Sequence, residues 1–240
     1  RSSGSAKKAS GSGETVALKL WASEEDQDLM KDLTDKFKEA NPDTKFDITI
    51  GKVSEADTKD TVLKDPTAAA DVFSFASDQI YDLVDAGVLQ PVQDEDKATI
   101  EKEEVESSVT AATVDDTLYA YPATADNGYF LYYDKNVISD DDAKTWDTIL
   151  ADSQKAGKKA GMVLNSGYYV AGFFYGADFT TVRNDDGSTT LDWNGTSSSG
   201  VKGVDVAQGM VDIAKNPAFM SIKDGDTANQ IASGKLAAII

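Results

Sequence analysis

Phe75, Asp78 and Gln79 close an apolar run that begins at Val72-Phe73. Beyond them Ile80, Leu83 and Val84 share one helical face, Gly87 stands as a helix stop, and Val88-Leu89 leads into Pro91. The pattern predicts a buried strand, a short loop, a helix and a turn. It sets an aromatic ring and an acid–amide pair at the carboxyl end of a strand, where open α/β sheets bind ligands. A ring face covers flat apolar surface, while carboxylate and amide groups hold hydroxyls in fixed geometry.

Other chemistries are excluded by residue type. The 240 residues include no histidine and no cysteine. That removes thiol nucleophiles, disulfides, Cys/His zinc sites and every Ser-His-Asp arrangement. Asp185-Asp186-Gly187 and Asp224-Gly225-Asp226 look calcium-like but lack the spaced acids ending in a bidentate Glu, so they read as turns. There is no GxGxxG and no P-loop. Lys and Arg total 23 against 42 Asp and Glu, a net charge of −19. Arg1, Lys7 and Lys8 fall in the first thirteen residues, which hold no acid, so the remainder is more acidic still. Such a body repels phosphate backbones and anionic lipid, and nucleic acid is not expected as a partner. No apolar run approaches the roughly 20 residues of a membrane span. No signal peptide is visible, which fits a mature or a cytosolic chain.

The elements that must position these residues follow from periodicity. Residues 1–13, RSSGSAKKASGSG, have no apolar pattern and read as a flexible tether. Val16–Trp21 reads as a strand, and Ser23 can cap a helix over about 24–40 with Leu29, Leu33, Phe37 and Ala40 in one stripe. Phe46, Ile48 and Ile50 alternate in a second strand; a helix over about 54–64 and a strand over 71–75 follow. Strand and helix alternating with short links predict a parallel sheet layered by helices. Residues 94–113 read as surface helical turns, and Tyr129–Tyr133 as a new strand. A second α/β unit follows: a helix over 145–156 stopped by Gly157, a strand over 161–164, an aromatic segment over 168–175 and a polar hairpin turned at 185–187. Helices over 201–214 and 227–233 and a strand over 235–240 complete it.

Several of these stretches resemble the extracellular sugar-binding proteins that feed ABC transporters. AADVFSFASDQ is similar to the family's "PD...F/W...D" segment. Residues 119–136, from Tyr119-Ala120-Tyr121-Pro122 to Asp134-Lys135-Asn136, resemble its "YAxPxxxxxxxLxYNKDL" crossover between two lobes. Lys235–Ile240 resembles its "GKxAxxx" strand, which in the family runs on into a "G-x-W" segment and more of the second lobe. The likeness covers residues 14–240 but only the amino-terminal part of a family member, which implies a fragment. The fold it implies is α/β, two-lobed and periplasmic-binding-protein-like. The first lobe would span 14–122, a hinge crossover 123–127 and an incomplete second lobe 128–240.

The resemblance also implies a site. Aromatic rings lie against pyranose faces, and carboxylates and amides grip hydroxyl pairs. Phe75 stands at the family's aromatic and Asp78 at its sugar-gripping aspartate; the plainer readings are a core ring and a helix N-cap. Gln79 replaces a frequent arginine. Asp126, with Asn127 beside it, aligns with an acid at the crossover. Tyr168 and Tyr169 follow Asn165-Ser166-Gly167 as the family's stacking tyrosine does, with core packing as the alternative. Glu24 and Glu25 follow the first strand, where acids also suit a helix N-terminus. The implied function is binding of a maltose- or maltodextrin-type oligosaccharide, without a cofactor, for a membrane permease. Residues 1–13 would be either the spacer behind a lipid-modified cysteine at a Gram-positive cell surface or a cloning linker. The alternatives are a glycosidase working with two carboxylates and a surface interaction module.

Overall fold

The computed structural model of the chain describes residues 13–125 and 128–240. Two compact units divide it, Arg1–Asp126 and Asn127–Ile240.

The first unit opens with β1 (Thr15–Ala22), α1 (Gln27–Ala40), β2 (Lys45–Lys52), α2 (Thr58–Lys64) and β3 (Val72–Phe73). All three strands are parallel, with β1 in the middle. The alternating apolar residues of β1 and β2 put Leu18, Leu20, Ile48 and Ile50 on one face, as period two requires. A single turn over Ser77–Gln79 leads into α3 (Ile80–Asp85). Gly87 then takes φ +68°, and the Val88 N–H donates to the Leu83 carbonyl at 3.2 Å, which closes the helix with a left-handed residue. Then come α4 (Asp94–Glu103), α5 (Glu106–Ala111) and a small hairpin of β4 (Thr113–Val114) and β5 (Thr117–Leu118). Val62, Ile80 and Leu83 are fully buried, and Ile100, Ala112 and Leu118 form a second small core.

The second unit contains β6 (Tyr132–Tyr133), α6 (Trp146–Lys155), β7 (Lys159–Met162), α7 (Gly167–Gly176) and the hairpin of β8 (Val182–Arg183) and β9 (Thr189–Thr190). It continues with α8 (Gly203–Lys215), β10 (Phe219–Ser221), α9 (Thr227–Ala232) and β11 (Leu236–Ile239). Its sheet runs β10-β7-β11-β6, with only β6 antiparallel to its neighbour. The central strands are buried on both faces, which explains the unbroken apolar residues at Ala160-Gly161-Met162 and Ala237-Ala238-Ile239. Ile138, Ile149, Leu150 and Phe219 fill the core beside them. No helix among the described residues is long and apolar enough to cross a membrane.

Several expectations need correction. Ser23 does not cap α1: its side chain is buried, the helix starts four residues later, and Gln27 Nε2 ties the turn by donating to the Ala22 and Ser23 carbonyls, each at 3.1 Å. The α1 stripe is only half covered, with Leu29, Leu33 and Phe37 exposed by 52, 46 and 44%. Phe37 does meet Phe46 of β2, ring centroids 5.0 Å apart. The expected strand over 71–75 pairs only at Val72–Phe73, and the one over 161–164 begins two residues earlier and ends at Met162. The expected strand over 129–133 pairs only at Tyr132–Tyr133. Phe130 is exposed and packs on the equally exposed Tyr132, ring centroids 4.8 Å apart. The aromatic segment over 168–175 is the helix α7. The β4–β5 hairpin had no sequence signal because its turn uses Asp115 and Asp116 at φ 47° and 62° where glycine or asparagine is usual.

Candidate functional site

In the first unit, parallel register places Trp21 between Gly51 of β2 and Phe73 of β3. The indole takes the space glycine leaves: a Cβ on Gly51 would lie 2.7 Å from Trp21 Cδ1. Trp21, Phe73 and Phe75 form a line of rings, with centroid separations of 6.4 and 6.2 Å. Lys19 Nζ sits 5.5 Å from the Trp21 ring centre, a cation–π distance. Sequence reasoning took Trp21 as a strand residue only; the glycine at a fixed offset in the next strand was the available signal.

Beyond Phe73 the chain turns through Phe75, half-buried, to Asp78, exposed. Gln79 is 5% exposed and its amide is fully engaged: Oε1 accepts from the Lys59 N–H at 3.0 Å, and Nε2 donates to the Glu55 and Ala56 carbonyls at 2.8 and 3.0 Å. The Thr58 hydroxyl donates to the Ser74 carbonyl at 2.7 Å. These bonds tie the loop after β3 to the start of α2, so Gln79 braces the loop that presents Phe75 and Asp78. Glu24 and Glu25 are exposed on the turn before α1, and Glu24 pairs with Lys52 at 3.2 Å.

In the second unit, α7 starts beyond the carboxyl end of β7 and carries Tyr168 and Tyr169 in its first turn. With Tyr129 they form a triangle of rings. Tyr129 lies 5.2 Å from each of the others and Tyr168 lies 5.3 Å from Tyr169. Tyr168 stands edge-on to both and remains 54% exposed. Tyr169 instead packs on the core of Val163, Ile222 and Ile239. Burial, then the neighbouring Asp224 carboxylate, raises the Tyr169 phenol above its ordinary range; burial, then Tyr168, does the same at Tyr129. At the far end of α7, Phe174 stacks on Trp193 at 4.4 Å and 10°, so those two rings cover each other.

Asp126 and Asn127 lie outside the described residues. Asp185-Asp186-Gly187 is a hairpin turn in which Asp186 accepts from the Ser188 N–H at 2.9 Å. Asp226 precedes α9 and accepts from the side chains of Asn229 and Gln230, each at 2.8 Å. Among the described residues no group of three or more acids could hold a metal ion. Among the described residues, a hydrogen bond with Asp142 raises the Asp152 carboxyl on α6.

Parallel strands joined by helix crossovers, with aromatic side chains near the strand ends, define an α/β fold. The chain belongs to the bacterial extracellular solute-binding protein family, whose model matches residues 32–240. A solved structure described "with acarbose" is 29% identical, superposes with a TM-score of 0.76 and covers 94% of this chain and 58% of its own. The maltodextrin-binding protein MalE1 from L. casei BL23, solved without ligand, is 26% identical with a TM-score of 0.66, covering 94% and 57%. The Thermus thermophilus maltotriose-binding protein, bound with maltotriose, is 22% identical with a TM-score of 0.66 and covers 92% and 60%; at that identity it shows the fold alone. The chain therefore spans less than two thirds of the length of these proteins. No curated protein matches it.

Proposed function

We propose that the chain binds a maltodextrin-type oligosaccharide as the solute-binding component of an ABC transporter. The observation that carries this reading is Tyr168. The residue is 54% exposed, its ring held edge-on by two other tyrosines, beyond the carboxyl end of a central parallel strand. A held, exposed ring face suits the apolar face of a pyranose, and little conformational freedom remains to be lost on contact. The first unit offers Phe75 and Asp78 on a braced strand-end loop, with Glu24 and Glu25 on the turn after β1. Asp126, Asn127 and Tyr169 complete the proposed set, Tyr169 as support for Tyr168. Gln79 enters it as the brace of its loop. The lobes proposed are 14–122 and 128–240, with a hinge over 123–127 that would close on the sugar. The identities of 29 and 26% to proteins described with acarbose or as maltodextrin-binding support this ligand class. The Ser- and Gly-rich residues 1–13 suit a spacer to a lipid anchor at the cell surface.

Calorimetric titration with maltotriose, followed by chromatography of the recovered sugar, tests the reading. Saturable binding with intact maltotriose is expected. Shortened sugar in the recovered fraction would overturn it in favour of a glycosidase, and no heat of binding would overturn the ligand class.

A further inference from the structure

Tyr129 packs its side chain against helix α7, touching Tyr168, Tyr169 and Gly172. Its ring lies 5.2 Å from both tyrosines, and its hydroxyl donates to the Tyr169 carbonyl at 3.3 Å. The hydroxyl end occupies a slot at Gly172, one turn after Tyr168 on the same helix. A Cβ built on Gly172 would overlap that oxygen, whereas the next ring atom, Cζ, is 3.4 Å away, an ordinary contact. Glycine weakens a helix interior relative to alanine, so its use at this position has a steric reason. The chain is fixed again three residues after Tyr129, where Tyr132 pairs with Ile239.

We propose that Tyr129 is a positioning residue for the sugar platform: seated in the Gly172 slot, it buttresses the edge-on Tyr168 ring and thereby sets its orientation. This rests on the reading of Tyr168 as a sugar-stacking residue. Tyr129 itself need not touch the ligand. An exposed ring without a buttress samples several rotamers, and a sugar must then select one of them, which lowers the apparent affinity.

The test is a double-substitution cycle on the full chain, read by maltotriose titration and by thermal unfolding, with Tyr168→Ala as control. Gly172→Ala is expected to weaken maltotriose binding about three- to tenfold, in line with the worth of an aromatic pair. Tyr129→Phe, which keeps the ring but removes the overlapping oxygen and its bond to the Tyr169 carbonyl, completes the cycle as the single variant against which the double one is read. Adding Tyr129→Phe to Gly172→Ala should restore affinity to within about twofold, because the double variant no longer has the overlap. If the double variant binds as poorly as Gly172→Ala, the slot is not the cause and the inference falls. If Gly172→Ala lowers the unfolding temperature but binds maltotriose normally, the triangle is packing alone and the inference falls. Should Gly172→Ala not fold, Tyr129→Leu takes its place: weakened binding by a folded protein is expected, and unchanged binding overturns the proposal. Failure of the underlying reading looks different, because there Tyr168→Ala itself binds maltotriose as the unsubstituted chain does, or neither binds it.

Discussion

Gln79 Nε2 donates to the carbonyl of Glu55 at 2.8 Å, across 24 residues of sequence. A side chain at the end of a strand is thus turned inward, where it satisfies backbone groups at the start of α2 and the turn before it. Its neighbour Asp78 is left exposed on the loop that this bond steadies. Two adjacent polar residues therefore lie in different surroundings, and substitution separates their effects.

Gln79→Ala should destabilise the protein by about 1–3 kcal/mol, the range for buried polar groups left without partners. Asp78→Ala, at an exposed position, should leave stability within about 0.5 kcal/mol and weaken maltotriose binding. Chemical denaturation and titration of both variants check this. Equal stability of the two would show that the Gln79 brace contributes nothing.

The two adjacent tyrosines of α7 should behave differently. Tyr169→Ala removes a ring packed on Val163, Ile222 and Ile239, and is expected to destabilise by about 2–4 kcal/mol. Tyr168→Ala removes a largely exposed ring, so folding should be near normal while sugar affinity falls about tenfold or more. Thermal unfolding and calorimetry distinguish them, and a reversed pattern would exchange their roles.

Gly51→Ala pushes a Cβ to 2.7 Å from the Trp21 indole. Because Trp21 is flanked on its other side by Phe73, the ring has nowhere to retreat without disturbing the line that ends at Phe75. The expected cost is about 1–3 kcal/mol, as for overpacking in general. Tryptophan fluorescence should shift with it. An unshifted spectrum together with unchanged stability would mean that the indole moves freely.

Acid should destabilise the fold through particular carboxylates. Hydrogen bonds from Gln230 and Asn229 hold Asp226 below the usual carboxylate range. The Ser188 hydroxyl does the same for Asp186, and the Thr67 hydroxyl for Asp65. A lowered folded-state pKa contributes stability that is present above the unfolded value and lost as pH falls through the folded one. Asp152, raised by its bond with Asp142, acts in the opposite sense and becomes less unfavourable as acid protonates it. With no histidine, no side chain titrates near its unperturbed value between about pH 5 and 8. Unfolding temperatures should therefore be level across that interval and fall below about pH 4. A step between pH 6 and 7 would contradict this account.

Regular elements were legible wherever a period was uninterrupted. The alternation of Phe46, Ile48 and Ile50 produced β2, and the Gly87 and Gly157 stops ended α3 and α6 where the pattern ran out. The strand expected over Tyr129–Tyr133 is shorter than predicted because an unbroken apolar run carries no period; only pairing with β11 decides that two of its residues are strand. The α1 stripe shows the converse. A period of 3.6 fixes which side chains share a face, but how far Leu29 and Leu33 are covered depends on what packs there.

From the sequence alone came the alternating α/β order, the excluded chemistries and the strand-end positions of Phe75, Asp78, Tyr168 and Tyr169, because these depend on local periodicity and residue type. Tertiary structure alone decided that Gln79 faces inward, that Trp21 lies over Gly51, and that Tyr129 reaches Tyr168 from 39 positions away in the chain. The reason is physical. A side chain's orientation is set by the nearest unfilled space and unpaired backbone group, and distant segments supply both.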